Sequence, residues 1–331
     1  MSLSGLDPSN PTPGDFREII FAQGETGGQA SSRSVVLYGN KTSAGSETVD
    51  TVGDAIQSAQ DCIDRTGARS ELNQMYRWYT KVDPTADIYF VACTEAAGGT
   101  AATREYTFAV NASDSTTVDI YWGGSQTSFS VSSGDTPTVQ AAAAKAAINS
   151  ADEGSWPFTA DNSSGVLTAT AANVGDRGTF ALSRLRFVYR KNVTTTCTAG
   201  AVAAGAGTDD HTAAYAAVAG AGTFYYQVSP KHAVTTVTTT DNGIGELITN
   251  NLAQALPVSG KSQCAVFGLV GTNAEATAVA ISSAANTPRA FFYWAENSPL
   301  TPGMLAAHHA AVMRLAQIRH PSANLTGYAN G

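Results

Sequence analysis

Charge is scarce in this sequence. Asp, Glu, Lys and Arg together make up 14% of its 331 residues, against about a quarter in an average globular chain. The surface must therefore be built largely from Thr, Ser, Ala, Gly and Asn, a composition common in proteins that pack against copies of themselves. No cluster of Lys and Arg offers a surface that could track phosphates, which disfavours nucleic acid as a partner. Cysteine is scarce too: Cys62, Cys93, Cys197 and Cys264 are scattered and never form C-x-x-C. That spacing excludes a disulfide framework and gives no metal-ligand pattern. No apolar run approaches the roughly 20 residues of a membrane-spanning helix. Residues 1–15 lack the basic start and apolar core of a signal peptide. A soluble chain folding in a reducing cytosol is expected.

What is present is hydrophobic content, 43% of a chain of net charge −8. That supports two domains, or one large domain carrying an insertion. The charge is uneven. Residues 1–99 hold 7 basic and 13 acidic side chains, so 7 − 13 = −6 of the net falls in the first third.

The stretch from Gly207 to Tyr328 reads as alternating helices and strands. Cys264–Val270 and Arg289–Ala295 are apolar, β-prone and not strictly alternating, as expected of strands buried on both faces of a parallel sheet. Asn273 can cap a helix between them that runs to about Ala284, which makes a βαβ unit. The last helix is marked by Thr301 at its N-cap, Pro302 at N1 and Pro321 beyond its end. Met304, Leu305, His308, Val312, Leu315 and Ile318 recur at helical spacing as one apolar stripe.

Taken in order, residues 1–23 read as an N-terminal arm followed by a first strand. Residues 24–99 read as the first part of an α/β core, with strands at Ser34–Tyr38 and Ile88–Ala92. Between these, one helix is marked by Val52, Ala55, Ile56, Ala59 and Ile63, and a second is capped by Ser70. From 100 to 193 the pattern shifts to period two, which predicts an inserted β-rich domain with one helix, opened by Thr138. Within it, Phe180–Tyr189 reads as strand. Residues 194–208 are low in complexity and read as a linker; 209–331 complete the α/β core. The expected fold is an α/β core, a largely parallel sheet flanked by helices, split by a β-rich insertion.

Chemical motifs are weak. His308 and His309 are adjacent on a helix, point about 100° apart and have no carboxylate one turn away, which suits a core edge better than a metal. His211, His232 and His320 are isolated and are expected to be exposed. Gly243-Ile-Gly245 faintly resembles a dinucleotide loop, but Ile248 stands where a third glycine is needed. Asp209 and Asp210 are most simply a solvated helix N-terminus. Phe291, Phe292, Tyr293 and Trp294 suit a buried strand better than a sugar platform. No catalytic, metal or cofactor site is assigned. The one functional assignment is subunit contact through Phe16, Ile19, Ile20 and Phe21 of the arm.

Several segments together resemble the contractile-tail sheath proteins of the shorter kind found in Mu-like phages and prophages. Val35–Gly39 resembles the family's first core strand and its glycine. Gly67–Met75 resembles the helix start that follows, and Ile88–Ala92 the next strand. Leu167–Gly178 resembles the strand and turn near the end of the inserted domain, and Gly207–Asp209 the start of the second core half.

The resemblance implies a non-enzymatic subunit that polymerises as a helical homo-oligomer around a tail tube protein and meets baseplate and tail terminator proteins. It would work in the bacterial host cytoplasm during assembly and then in the virion tail. The family carries a further C-terminal segment with a strand that pairs with neighbouring subunits, whereas this sequence ends at Gly331. Either that segment has been removed or the linkage is made another way. The alternatives are an α/β hydrolase-like enzyme with a β insertion, which needs a pocket of converging polar groups, and a β-rich adhesion module.

Overall fold

The computed structural model describes residues 34–175, 177–191, 197–221, 224–231, 245–248, 263–271, 290–296 and 298–319. The fold is mixed α/β, with one five-stranded parallel sheet and two antiparallel sheets, of four and three strands.

The parallel sheet is built from β1 (Val35–Gly39), β2 (Ile88–Ala92), β10 (Tyr226–Ser229), β11 (Cys264–Gly271) and β12 (Ala290–Glu296), in the order β12-β11-β10-β1-β2. Both of its faces are covered. Val35, Leu37, Phe90, Val228 and Val266 face one apolar cluster, with α1 (Ala59–Thr66), α2 (Glu71–Thr80) and α6 (Pro302–Arg319). Val36, Tyr38, Val91, Phe267 and Leu269 face another, with α5 (Thr212–Ala221). Each strand thus sends alternate residues into two cores, so the sequence shows an unbroken apolar run.

The strands between β2 and β10 in sequence form the other two sheets. β3 (Ala101–Phe108), β6 (Phe158–Ser163), β7 (Val166–Val174) and β9 (Cys197–Ala203) make the sheet β6-β7-β3-β9. β4 (Thr116–Trp122), β5 (Ser125–Val131) and β8 (Arg186–Tyr189) make β5-β4-β8. Their shared core holds Trp122, Trp156, Phe158 and Leu167, covered by α3 (Pro137–Ser150) and α4 (Gly178–Ser183).

Four expectations change here. Cys197–Ala203, read as linker, is strand β9 and pairs antiparallel with β3; small residues pass beside a neighbouring strand without needing a core of their own. Part of Phe180–Tyr189 is helix α4, so the β-rich part has a second α-helix. The indole Nε1 of Trp122 donates to the carbonyl of Ala181 at 2.8 Å, which fixes that turn. The first helix begins at Ala59, where Ser58 accepts from the Asp61 N–H. Residues 50–56 instead run along the outer edge of β2. There the Asp50, Gly53 and Ile56 N–H groups donate to Ala92, Phe90 and Ile88, satisfying carbonyls that a bare edge would expose.

Helix α6 is the fourth. Its best-buried residues are Ala306, Ala307, Ala310, Ala311 and Met313 on the parallel-sheet side, with Met304 and Leu305 in the core of the β-rich part. His308, Val312 and Leu315 of the expected stripe are only half-buried, and Ile318 lies outside the residues whose burial is described. The alanine face packs because the helix backbone comes close to its neighbours, as at Gly268 of β11 against Pro302 and Ala306, and this admits no larger side chain. The two cores therefore share one helix. The described residues all belong to a single compact unit.

The Ser70 cap stands as expected: its Oγ accepts from the Asn73 N–H at 3.0 Å, with Leu72, Met75, Tyr76 and Tyr79 buried on the inner face. Of the expected helix at Gly243–Leu256, residues 245–248 are helical; the rest, and that at Asn273–Ala284, fall outside the described residues.

Candidate functional site

Parallel sheets of this topology bind ligands at one favoured place, the crevice beyond the strand C-termini where connections leave in opposite directions. Here that place lies between β1 and β10: the chain moves from β1 outward to β2, and from β10 the other way to β11 and β12. Asn40 follows β1, Lys231 lies two residues after β10, and Glu71 starts α2. Asp209 and His211 precede α5, and Arg177 arrives from the β-rich part just before α4.

These side chains bond to one another. The Arg177 guanidinium donates to Asp209 Oδ2 and lies 3.2 Å from Glu71 Oε2. Asn40 Nδ2 donates to Asp209 at 2.9 Å, and the Ala96 N–H donates to its other oxygen at 2.7 Å. The backbone N–H of Asn40 reaches Glu71 Oε2 at 3.1 Å. Lys231 Nζ donates to the Asp209 carbonyl.

His211 Nε2 is 3.1 Å from Arg177 Nη1, which can only donate, so Nε2 accepts and the ring proton sits on Nδ1. Nδ1 then donates to Tyr215 Oη at 3.4 Å, which lies 3.1 Å from Ser229 Oγ. Burial, then the cations Arg177 and Lys231, hold His211 well below its ordinary pKa and keep it neutral. Burial pushes Glu71 upward, against the opposing pull of Arg177 and the Asn40 N–H.

The arrangement is a clamp. Both carboxylates are engaged by one guanidinium, and the His211 lone pair is committed to the same group. His211, Tyr215 and Ser229 are at most 1% exposed, so no substrate reaches their polar atoms. The cleft beside Arg177, lined by Asn40, Glu71, Gln74, Asn173 and Thr301, has a free volume of about 40 Å³. That suits water rather than an organic ligand, which needs several hundred Å³.

A second set of bonds joins α2 to the β-rich part. Arg69 donates to the carbonyls of Phe158 at 2.7 Å, Asn149 at 2.9 Å and Trp156 at 3.2 Å. Gln74 donates to the Ser155 carbonyl, and Arg77 pairs with Asp152 at 2.6 Å. Asp152 and Glu153 lie in the left-handed region, at φ 50° and 57°. Such backbone persists where surrounding bonds over-determine it, as Arg77 and Gln74 do on either side.

Several sequence expectations resolve at these positions. Asp209 and His211, expected to be solvated and exposed, are 2% and 0% exposed, because Arg177 from a distant segment supplies the partner that makes burial tolerable. Asp210 does meet the helix start, accepting from the Thr212 N–H at 2.9 Å. His309 is 6% exposed and stacks on Tyr293 with ring centroids 3.8 Å apart; His308 packs edge-on against Trp78.

Phe291 to Trp294 form strand β12 but remain half-buried, since β12 is the end strand of its sheet. Glu246, after the two glycines, accepts from the Thr212 hydroxyl at 2.7 Å. Phe16, Ile19, Ile20 and Phe21, with His232 and His320, lie outside the described residues. The cysteines are free thiols; burial pushes Cys62 and Cys197 up to about 12.

Sequence reasoning missed Arg177, although it lies in the turn at Asn173–Gly178, within one of the segments that carry the resemblance. Nothing about a lone arginine in a glycine-rich turn signals a buried clamp. Among the described residues, no three His, Cys, Asp or Glu side chains gather as a metal site, and no helix is long and apolar enough to cross a membrane. No protein-family model matches the chain, and no curated protein matches its sequence.

Proposed function

We propose that this chain is the structural subunit of a contractile tail sheath, polymerising helically around a tail tube and contracting to drive the tube through a cell envelope. The supporting observation is the clamp: the crevice where a doubly wound sheet would hold a ligand is closed by the chain's own Arg177, Asp209 and Glu71. A subunit that transmits force needs a rigid body more than a pocket. Arg177 and the α2 contacts join the α/β sheet to the β-rich part as such a body. The partners in this reading are further copies of the chain, the tail tube protein, and the baseplate and tail terminator proteins. The α/β core, split by the β-rich insertion, carries the lattice contacts, and the β-rich part projects from it.

Non-closing contacts between identical subunits build a helical tube. Contraction is then a rigid-body rearrangement from a kinetically trapped lattice to a more stable one. No residue has a catalytic role in this reading. A hydrolase-like enzyme is the rival, and its substrate would have to enter the crevice that Arg177 closes.

Negative-stain electron microscopy of the purified chain over a concentration series tests the proposal. Tubes or stacked rings are expected. Uniform small particles at every concentration, with the arm and all encoded C-terminal residues in place, would overturn it.

A further inference from the structure

Basic residues are concentrated in one place. Residues 177–208 carry five Arg or Lys and no Asp or Glu, and four of the five lie within 184–191. That stretch contains β8, the end strand of the three-stranded sheet. Arg186 lies opposite Tyr121 of β4, and Val188 lies opposite Asp119. Arg186, Val188 and Arg190 are exposed on one sheet face, with Gln126, Ser128 and Ser130 of β5 exposed two strands away.

Arg190 is engaged by Asp119, with bonds of 2.8 and 2.9 Å, and Lys191 lies 3.7 Å from Asp114. Among the described residues, the side chains of Arg184 and Arg186 have no ion pair or hydrogen bond, and Arg184 Nε is buried without an acceptor. Burial and the adjacent Arg186 both work against the Arg184 charge. Two arginines without counter-ions among the described residues, on a molecule of net charge −8, call for an acidic partner.

The same chain presents such a partner. Residues 46–64 contain Glu47, Asp50, Asp54, Asp61 and Asp64 and no Lys or Arg. They form the edge segment outside β2 and the start of α1. Glu47, Asp54 and Asp61 line an open recess there, with Arg65 as its one cation. Asp54 and Asp64 are exposed.

We infer that the Arg184–Lys191 face of one copy docks on the acidic 46–64 edge of a second copy of this chain. The two patches differ, so the contact is heterologous: it leaves each copy one basic face and one acidic edge to pass on, and it builds a ring if the rotation closes and a helical filament if it does not. The inference rests on the self-assembling reading above and adds, to the lattice contacts of the α/β core, one that the β-rich part makes on a neighbouring core.

The test uses the full chain and two variants, Arg184→Glu/Arg186→Glu and Asp54→Lys/Asp64→Lys. Sedimentation velocity is run on each alone and on their mixture, at low ionic strength and at a screening length of about 8 Å. The unsubstituted chain is expected to associate, less so with salt. Each variant alone should associate at least about tenfold more weakly, since like charges then meet across the contact. The mixture should recover association, because each reversed patch finds its complement. Circular dichroism melts confirm folding; if a reversal unfolds the chain, Arg184→Gln/Arg186→Gln gives the same readout with a smaller expected loss.

Unsubstituted chain that stays monomeric, variants that associate as it does, or a mixture that recovers nothing would overturn the inference. Charge-dependent association into closed oligomers without tubes would keep this contact and sink the sheath reading. Tubes indifferent to both variants would do the reverse.

Discussion

Arg177 donates to Asp209, whose side chain is 1% exposed, and so ties the turn before α4 to the segment that leads back into the parallel sheet. The two residues are 32 positions apart, and β8 and β9 lie between them. The pair closes the crevice between β1 and β10, and it determines what this fold can do there.

Removing the cation should therefore be costly. Arg177→Met is expected to destabilise the chain by about 3–5 kcal/mol, because a buried carboxylate loses its counter-ion. Arg177→Met/Asp209→Asn should cost less than the two single losses summed, as residues in one network are not additive. Urea unfolding of the four chains completes the cycle; strict additivity would show that the pair is not coupled.

Acid should weaken the fold before the carboxylates titrate. Burial, then His308, hold His309 at about 4 in the folded chain, against 6.5 unfolded. Between those values the unfolded chain binds a proton that the folded chain refuses, so stability falls as pH drops from 6.5 towards 4. For this residue the loss is at most about 3 kcal/mol. His211 is shifted the same way. Glu71, shifted upward, opposes the trend over its own range, because its folded form binds a proton first. Urea midpoints from pH 7 to pH 4.5 should fall, and His309→Phe, which keeps the stack on Tyr293, should flatten the curve.

Gly268 of β11 sits against the start of α6. A Cβ there would lie 2.1 Å from the Pro302 carbonyl oxygen. Gly268→Ala must push strand and helix apart, at a cost of about 1–3 kcal/mol. A fall in melting temperature should accompany it, whereas Gly134→Ala, in open space but at φ +90°, tests backbone strain alone.

Arg314 pairs with Asp83, and both are at most 5% exposed. Asp83→Ala takes the carboxylate away from a buried guanidinium and should cost about 3–5 kcal/mol. The turn at Thr85, whose N–H and hydroxyl donate to Asp83 Oδ1, loses its anchor at the same time. Amide exchange should then quicken at 83–85 ahead of the rest of the chain.

Local signals were enough to place many elements. The apolar runs at Val35–Gly39, Ile88–Ala92 and Cys264–Gly271 are strands because their residues suit burial on both faces, and that shows in composition alone. Ser70, Thr301 and Pro302 mark helix starts because capping acts within one turn. Period-two alternation announced the antiparallel strands for the same local reason. Only the tertiary structure decided which strands are neighbours, that the Ala/Gly run at Cys197–Ala203 is a strand on β3, and that α6 buries its alanines. It also decided that Arg177, Asp209, Glu71 and His211 meet. These outcomes depend on partners tens of residues away, and a charged side chain has no preference for burial until its counter-ion has been placed beside it.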